Sequence, residues 1–160
     1  MNYTKDKKSK SNQDNPKSIT SETDEFEYLC RDKVHILGFV AKKIGNIIRL
    51  NGNDIGIGIA PFLLFLRLVQ ESKKGQGGWV NVQDLEEVKI LSDTSRHQNF
   101  SNLRTALKAG LLEGDALSFI QNDGAKNYRI SNHPDLISYD RNRLMAHPDD
   151  RIRKIAKELP

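Results

Sequence analysis

Residues 92–131 constrain this chain more than any other stretch, because they set an amphipathic helix directly before a hairpin. At about 100° per residue, Phe100, Leu103, Leu107 and Leu111 fall in one apolar stripe that has to face a core. The other side carries Thr94, Gln98, Ser101, Asn102 and Thr105, all polar and none acidic, with Arg104 and Lys108 flanking them. Residues 117–121 and 127–131 then alternate around Asn122, Asp123, Gly124, Ala125 and Lys126, which reads as two strands and a Gly-bearing turn. Lys126 and Arg129 lie at or near the tip, where Asp123 opposes them.

A helix beside such a hairpin is the working face of a winged helix, in which the helix enters a nucleic-acid groove and the hairpin touches the backbone next to it. Gln and Asn can pair with adenine edges and Thr can meet a thymine methyl, while flanking cations neutralise phosphates. The expected DNA-binding set is therefore Gln98, Ser101, Asn102, Arg104, Thr105, Lys108, Lys126 and Arg129. A solvated helix face and a plain hairpin closing a sheet account for most of the same residues. Only Lys126 and Arg129 ask for a partner in the hairpin.

The segment ahead of this pair supplies the scaffold. Residues 34–40 suit a strand buried on both sides or a short apolar helix. Asn51-Gly52-Asn53-Asp54 between two Ile-rich runs is a strong hairpin signal, because Asn and Gly tolerate the positive φ of a tight turn. Pro61 suits the first turn of a helix, and residues 62–69 are apolar nearly all round, so that helix belongs in the middle of the core. After the Gly-rich exit at residues 73–78, Trp79-Val80 reads as a very short strand. Asn81 can cap a second helix with Asp84 in its first turn.

Composition sets outer bounds. A chain of 160 residues suits one domain with tails, and no apolar run reaches the roughly 18 residues of a membrane span. The longest candidate, residues 55–69, is broken by Gly56, Gly58 and Pro61. Residues 1–24 lack a hydrophobic period and any secretory h-region, so they read as a disordered polar arm on a cytoplasmic protein. Lys5, Lys7, Lys8 and Lys10 in that arm can track phosphates. A lone Cys30 makes no internal disulfide, and the four histidines lack ligand spacing, so neither metal nor cofactor is expected. The net charge of +4 is spread evenly, with a surplus of one cation in each of residues 1–24, 25–58, 59–133 and 134–160. A polyanion partner is compatible with that balance but not required by it.

Several of these runs resemble a known family. Residues 46–69 resemble the passage from sheet to first helix in OmpR/PhoB-type winged-helix effector domains, and residues 78–85 the start of the second helix. FSNLRTAL at 100–107 is similar to that family's recognition helix, with Leu103, Arg104 and Leu107 on its Leu-Arg and Leu positions. Residues 119–130 resemble its wing, with Tyr128 and Arg129 on the closing Tyr-Arg pair. Residues 103–113 are also similar to the end of a recognition helix in MarR- and ArsR-like winged helices, so the resemblance leaves the particular family open. The chain departs from the first pattern in having Asn127 where the wing has Gly and in lacking the family's usual aromatic and basic pattern at 91–99. No phosphoacceptor pocket fits in residues 1–33, so phosphorylation within the chain is not expected to control it.

The implied architecture is α+β: a winged helix-turn-helix with a small N-terminal antiparallel sheet, a three-helix core, a C-terminal hairpin wing and an added C-terminal helix. Its expected divisions are the arm at 1–24, the winged-helix domain at 25–133 and a helical extension at 134–160. Pro148, Asp149 and Asp150 mark the start of the last helix, and Ile152, Ile155, Ala156 and Leu159 form its stripe. That stripe packs on the domain or forms a homodimer contact. The function expected is sequence-specific binding of double-stranded DNA by a transcriptional regulator. The other class is a protein-binding adaptor whose C-terminal stripe carries the partner. Catalysis is not expected: there is no nucleophile elbow, and Gly56-Ile57-Gly58 lacks the third glycine of a phosphate loop.

Overall fold

In the computed structural model the described residues are 28–43, 45–90, 96–113 and 115–160. The expected arm at 1–24 and Thr94 of the polar helix face lie outside them. Asn51 at φ 52° and Gly52 at φ 87° form the tight turn that their residue types suggest. It joins strand β2 (Gly45–Leu50) to β3 (Asn53–Ile57), and β1 (Val34–Val40) lies antiparallel on the far side of β2. Residues 34–40 are thus a strand. Val34 and Ile36 are buried, whereas His35 and Leu37 on the other face are only half-covered.

Helix α1 (Ile59–Ser72) starts one residue after Gly58, so Pro61 occupies its third position, where an N–H would have no intrahelical acceptor. Residues 62–66 are fully buried, as an all-round apolar helix demands. Strand β4 (Val80–Asn81) follows, and the Asn81 side chain accepts from Gln83 N at 2.8 Å to cap α2 (Val82–Glu87). Helix α3 (Arg96–Lys108) presents Phe100, Leu103 and Leu107 to α1, with Leu111 completing the buried stripe just beyond its end.

The strand expected from Leu117 begins later. Asp115 accepts from both the backbone N–H and the hydroxyl of Ser118, at 3.1 and 2.6 Å, and this cap turns the next residues into a short helix, α4 (Ala116–Phe119). Phe119 is buried and Leu117 remains 69 % exposed, so the alternation of these apolar residues does not mark a strand. The hairpin is β5 (Ile120–Asn122) and β6 (Asn127–Ile130), and β4 pairs antiparallel with the outer edge of β6 to give the order β4-β6-β5.

Residues 134–160 contribute more than a helix. Strand β7 (Ile137–Tyr139) lies parallel to β1 and completes a four-stranded sheet in the order β3-β2-β1-β7. Helices α5 (Arg141–Met145) and α6 (Asp150–Glu158) follow. Asp149 caps α6 by accepting from Arg151 N, which leaves Pro148 just before the helix. Ile152, Ile155, Ala156 and Leu159 are all buried within the chain, and α6 packs on α1. The stripe expected to reach either the domain or a second copy is thus covered by the chain itself. Six α-helices and two sheets, counted among the described residues, make an α+β arrangement around α1.

A buried polar network ties the first sheet to the end of α3. The Asp32 carboxylate accepts from Leu112 N at 2.7 Å and from Asn51 Nδ2 at 2.8 Å. Asn51 Nδ2 also donates to Gly110 O at 2.9 Å. Asn132 Nδ2 donates to Asp32 O, and Asp32 N donates back to Asn132 Oδ1. Gly110 lies so close to the sheet that a Cβ there would stand 2.9 Å from Leu50 Cβ, so this position has to be glycine for the two to meet.

Candidate nucleic-acid interface

The polar side of α3 is exposed, and the reason is local. Its apolar residues are fully engaged by α1 and the hairpin, so the residues half a turn away point outward. Gln98, Ser101, Asn102, Thr105 and Lys108 are all exposed, and His97 joins them. Gln98 Nε2 donates to Asn102 Oδ1 at 2.8 Å, so the two amides form one unit at i and i+4.

Arg104, expected among the phosphate contacts, is placed otherwise. Its Nη2 donates to Ile120 O at 3.0 Å, and its guanidinium carbon lies 5.9 Å from the ring centroids of both Phe100 and Tyr128. Those two rings stack at 3.9 Å. Its Nε is buried with no hydrogen-bond partner among the described residues. Arg104 therefore holds the hairpin against the helix, because position 104 lies between the polar face and the apolar stripe and its long side chain folds toward the rings.

Arg129 is likewise engaged. Its guanidinium lies 4.1 Å from the Trp79 ring centroid, and its Nε donates to Gln121 Oε1 at 2.8 Å. Burial lowers its pKa. Local sequence marks Trp79 only as part of a short strand. The β4–β6 register pairs Val80 with Tyr128, which brings Trp79 across from Arg129, and that long-range pairing is not written in neighbouring residues.

At the hairpin tip Asp123 serves the turn. It accepts from Ala125 N at 2.7 Å, from Asn127 N at 3.1 Å and from Asn127 Nδ2 at 2.7 Å. The Asn127 side chain, followed by these backbone N–H groups, holds its carboxyl below the usual range. Asn127 thus has a structural task in the turn. Lys126 sits at φ 67° and is exposed. Of the four expected cations, Lys108 and Lys126 present their charges at the surface, while Arg104 and Arg129 pack the hairpin on its two faces.

Beside α3 runs a groove of about 630 Å³ whose other wall is α4. His97, Ser101, Thr105 and Lys108 line the α3 side, Leu117 the α4 side, and Tyr128 also borders it. Among the described residues no group of three His, Cys, Asp or Glu side chains could hold a metal ion, and no helix is long and apolar enough to cross a membrane. Compared with family models, with curated proteins and with solved structures, the chain matches none.

Proposed function

We propose that this protein is a sequence-specific double-stranded DNA-binding protein of winged-helix type, acting in the cytoplasm as a transcriptional regulator. Helix α3 enters the major groove, and the β5–β6 hairpin lies on the adjoining backbone. The observation that carries this reading is the acid-free exposed face of α3, Gln98, Ser101, Asn102, Thr105 and Lys108, standing beside a hairpin in a sheet of order β4-β6-β5. The amides and hydroxyls supply base-edge contacts, and Lys108 and Lys126 supply the phosphate contacts.

Selection of bound duplexes from a random pool, followed by gel shifts, tests it. Selected duplexes should bind more tightly than random ones, Asn102→Ala should change the preferred sequence, and Lys126→Ala should weaken all duplexes alike. Absence of duplex binding at low salt would rule the reading out. The adaptor reading draws on one observation: Leu29, Leu112 and Leu117 are large apolar side chains at least 57 % exposed, and they border neighbouring grooves. The C-terminal stripe does not serve it, being buried.

A further inference from the structure

Asn51-Gly52 is the one Asn-Gly step in the sequence. The peptide nitrogen that follows an asparagine can attack the side-chain carbonyl carbon, and glycine leaves that nitrogen most open because it has no Cβ. Gly52 is exposed, and a Cβ placed on it would meet nothing within 4 Å. Its N–H has no hydrogen-bond partner among the described residues. The attacking atom is thus open to water.

The group to be attacked is held. Asn51 Oδ1 accepts from Lys33 N at 2.9 Å, and Nδ2 donates to Asp32 Oδ1 at 2.8 Å and to Gly110 O at 2.9 Å. The backbone is fixed beside it, with Asn51 N donating to Lys33 O at 2.8 Å. The side-chain amide cannot swing onto Gly52 N until these side-chain bonds break, and breaking them parts the four-stranded sheet from the end of α3. Reaction at Asn51 therefore follows opening of this turn.

We infer that Asn51 is a deamidation site kept closed by the fold, and that its conversion permanently removes the link between the sheet and α3. In the opened turn Gly52 N gives its proton to hydroxide and bonds to Asn51 Cγ. The Cγ–Nδ2 bond breaks, and Nδ2 leaves as ammonia with a proton from water. Water then adds to either carbonyl of the succinimide, leaving aspartate or isoaspartate at position 51. Water is the only co-reactant, and nothing is oxidised or reduced.

Neither product restores the network. Aspartate has no side-chain N–H, so it sets an oxygen against the buried Asp32 carboxylate and the Gly110 carbonyl. Isoaspartate also carries the backbone through Cβ, one atom longer, in a two-residue turn whose length fixes the pairing of β2 with β3. A chain that has opened and reacted is thus marked, and α3 has lost its anchor. Any consequence for duplex binding rests on the DNA-binding reading; the chemistry at Asn51 does not.

The test incubates the full chain and a synthetic peptide of residues 46–56 in one mildly alkaline buffer, and follows the fragment containing Asn51 by mass spectrometry for conversion of amide to acid. The folded chain should convert at least about tenfold more slowly than the peptide, and urea above the unfolding midpoint should bring it to the peptide's rate. Equal rates without urea, or a slow rate that urea leaves unchanged, would overturn the proposal. The product is examined with full-length Asn51→Asp beside Asn53→Asp, which adds the same charge at an exposed neighbour. Asn51→Asp should lower the urea midpoint and move the amide resonances of Gly110 and Leu112, or fail to fold, and Asn53→Asp should do neither. Equal midpoints for the two variants, with Gly110 and Leu112 unmoved in both, would overturn it as well.

Discussion

Two groups of polar side chains in this molecule have opposite fates. Asp32, Asn51 and Asn132 turn inward and join the four-stranded sheet to the end of α3, while Asn46 and His147 form a second internal pair. Gln98, Ser101, Asn102 and Thr105 turn outward from α3 and, apart from the Gln98–Asn102 bond, face solvent. Asparagine occurs in both groups, so residue type does not separate them. The difference lies in what each neighbour lacks. Asp32 and Asn51 answer backbone groups near the end of α3, Leu112 N and Gly110 O, whereas Ser101, Asn102 and Thr105 stand inside a helix, where the backbone needs no side-chain partner. Polar residues of the first kind build the platform; those of the second kind are available for recognition.

The largest break of that contrast is Asp32→Ala. It removes the acceptor of Leu112 N and one acceptor of Asn51 Nδ2 at a position only 4 % exposed. A loss of about 3 kcal/mol in urea-melt stability is expected, since buried donors would be left unsatisfied. A loss below about 0.5 kcal/mol would mean that water substitutes and that the network is not a platform.

The same contrast explains what could be read from the sequence. The Asn51-Gly52 turn, the all-apolar α1, the Asn81 cap and the Phe100 to Leu111 stripe are all legible, because each depends on residues within a turn or two of one another. Asp32 and Asn132 are opaque, since their partners lie across the chain and only the folded sheet brings them together. Leu117 misleads for a local reason: alternation suggests a strand, but the Asp115 cap acting through Ser118 takes the backbone into a helix first. At the candidate site the outward amides and hydroxyls follow from the helix period. The fates of Arg104 and Arg129 do not, because a long side chain near the edge of a stripe can swing to either side and the aromatic rings that capture it come from other elements.

Arg104 therefore sharpens the comparison. Arg104→Ala removes the bond to Ile120 O and the cation above two rings, and should lower stability by about 1.5 kcal/mol. If α3 lies against a duplex, the effect of this change on binding should come with an unchanged salt slope, since the Arg104 guanidinium is held by Ile120 O and the two rings. A slope that falls with the substitution would return Arg104 to the outward group.

His147 gives the inward group a pH signature. Its Nε2–H donates to Asn46 Oδ1 at 2.6 Å, and its Nδ1 accepts from Asp149 N at 2.9 Å, so the neutral ring is the form that fits. Burial lowers its pKa first; the Arg153 charge acts in the same direction and Asp149 against it. The folded chain thus binds fewer protons than the unfolded one below the unfolded value of about 6.5. The contribution is complete above that pH and is lost as the pH falls through it toward the folded value, by no more than about 1.4 kcal/mol per pH unit. Urea midpoints measured from pH 7.5 to 5 should decline, and His147→Gln should flatten the decline. An equal slope in the variant would assign the pH dependence to other groups.

The smallest stability effect belongs to the outward group and decides most about it. Lys108 is exposed and closes the polar face of α3 at the helix C-terminus, where its charge meets the negative end of the dipole. Lys108→Ala should change stability by no more than about 0.5 kcal/mol. If α3 lies against a duplex, the same change should lower the slope of log affinity against log salt by about 0.9, the mark of one fewer neutralised phosphate. Arg104→Ala and Lys108→Ala then have reciprocal signatures, one in the melt and one in the salt titration. Two cations only four residues apart are distinguished by direction alone, so a result in which both act on the melt, or both on the slope, would remove the division between platform and recognition face.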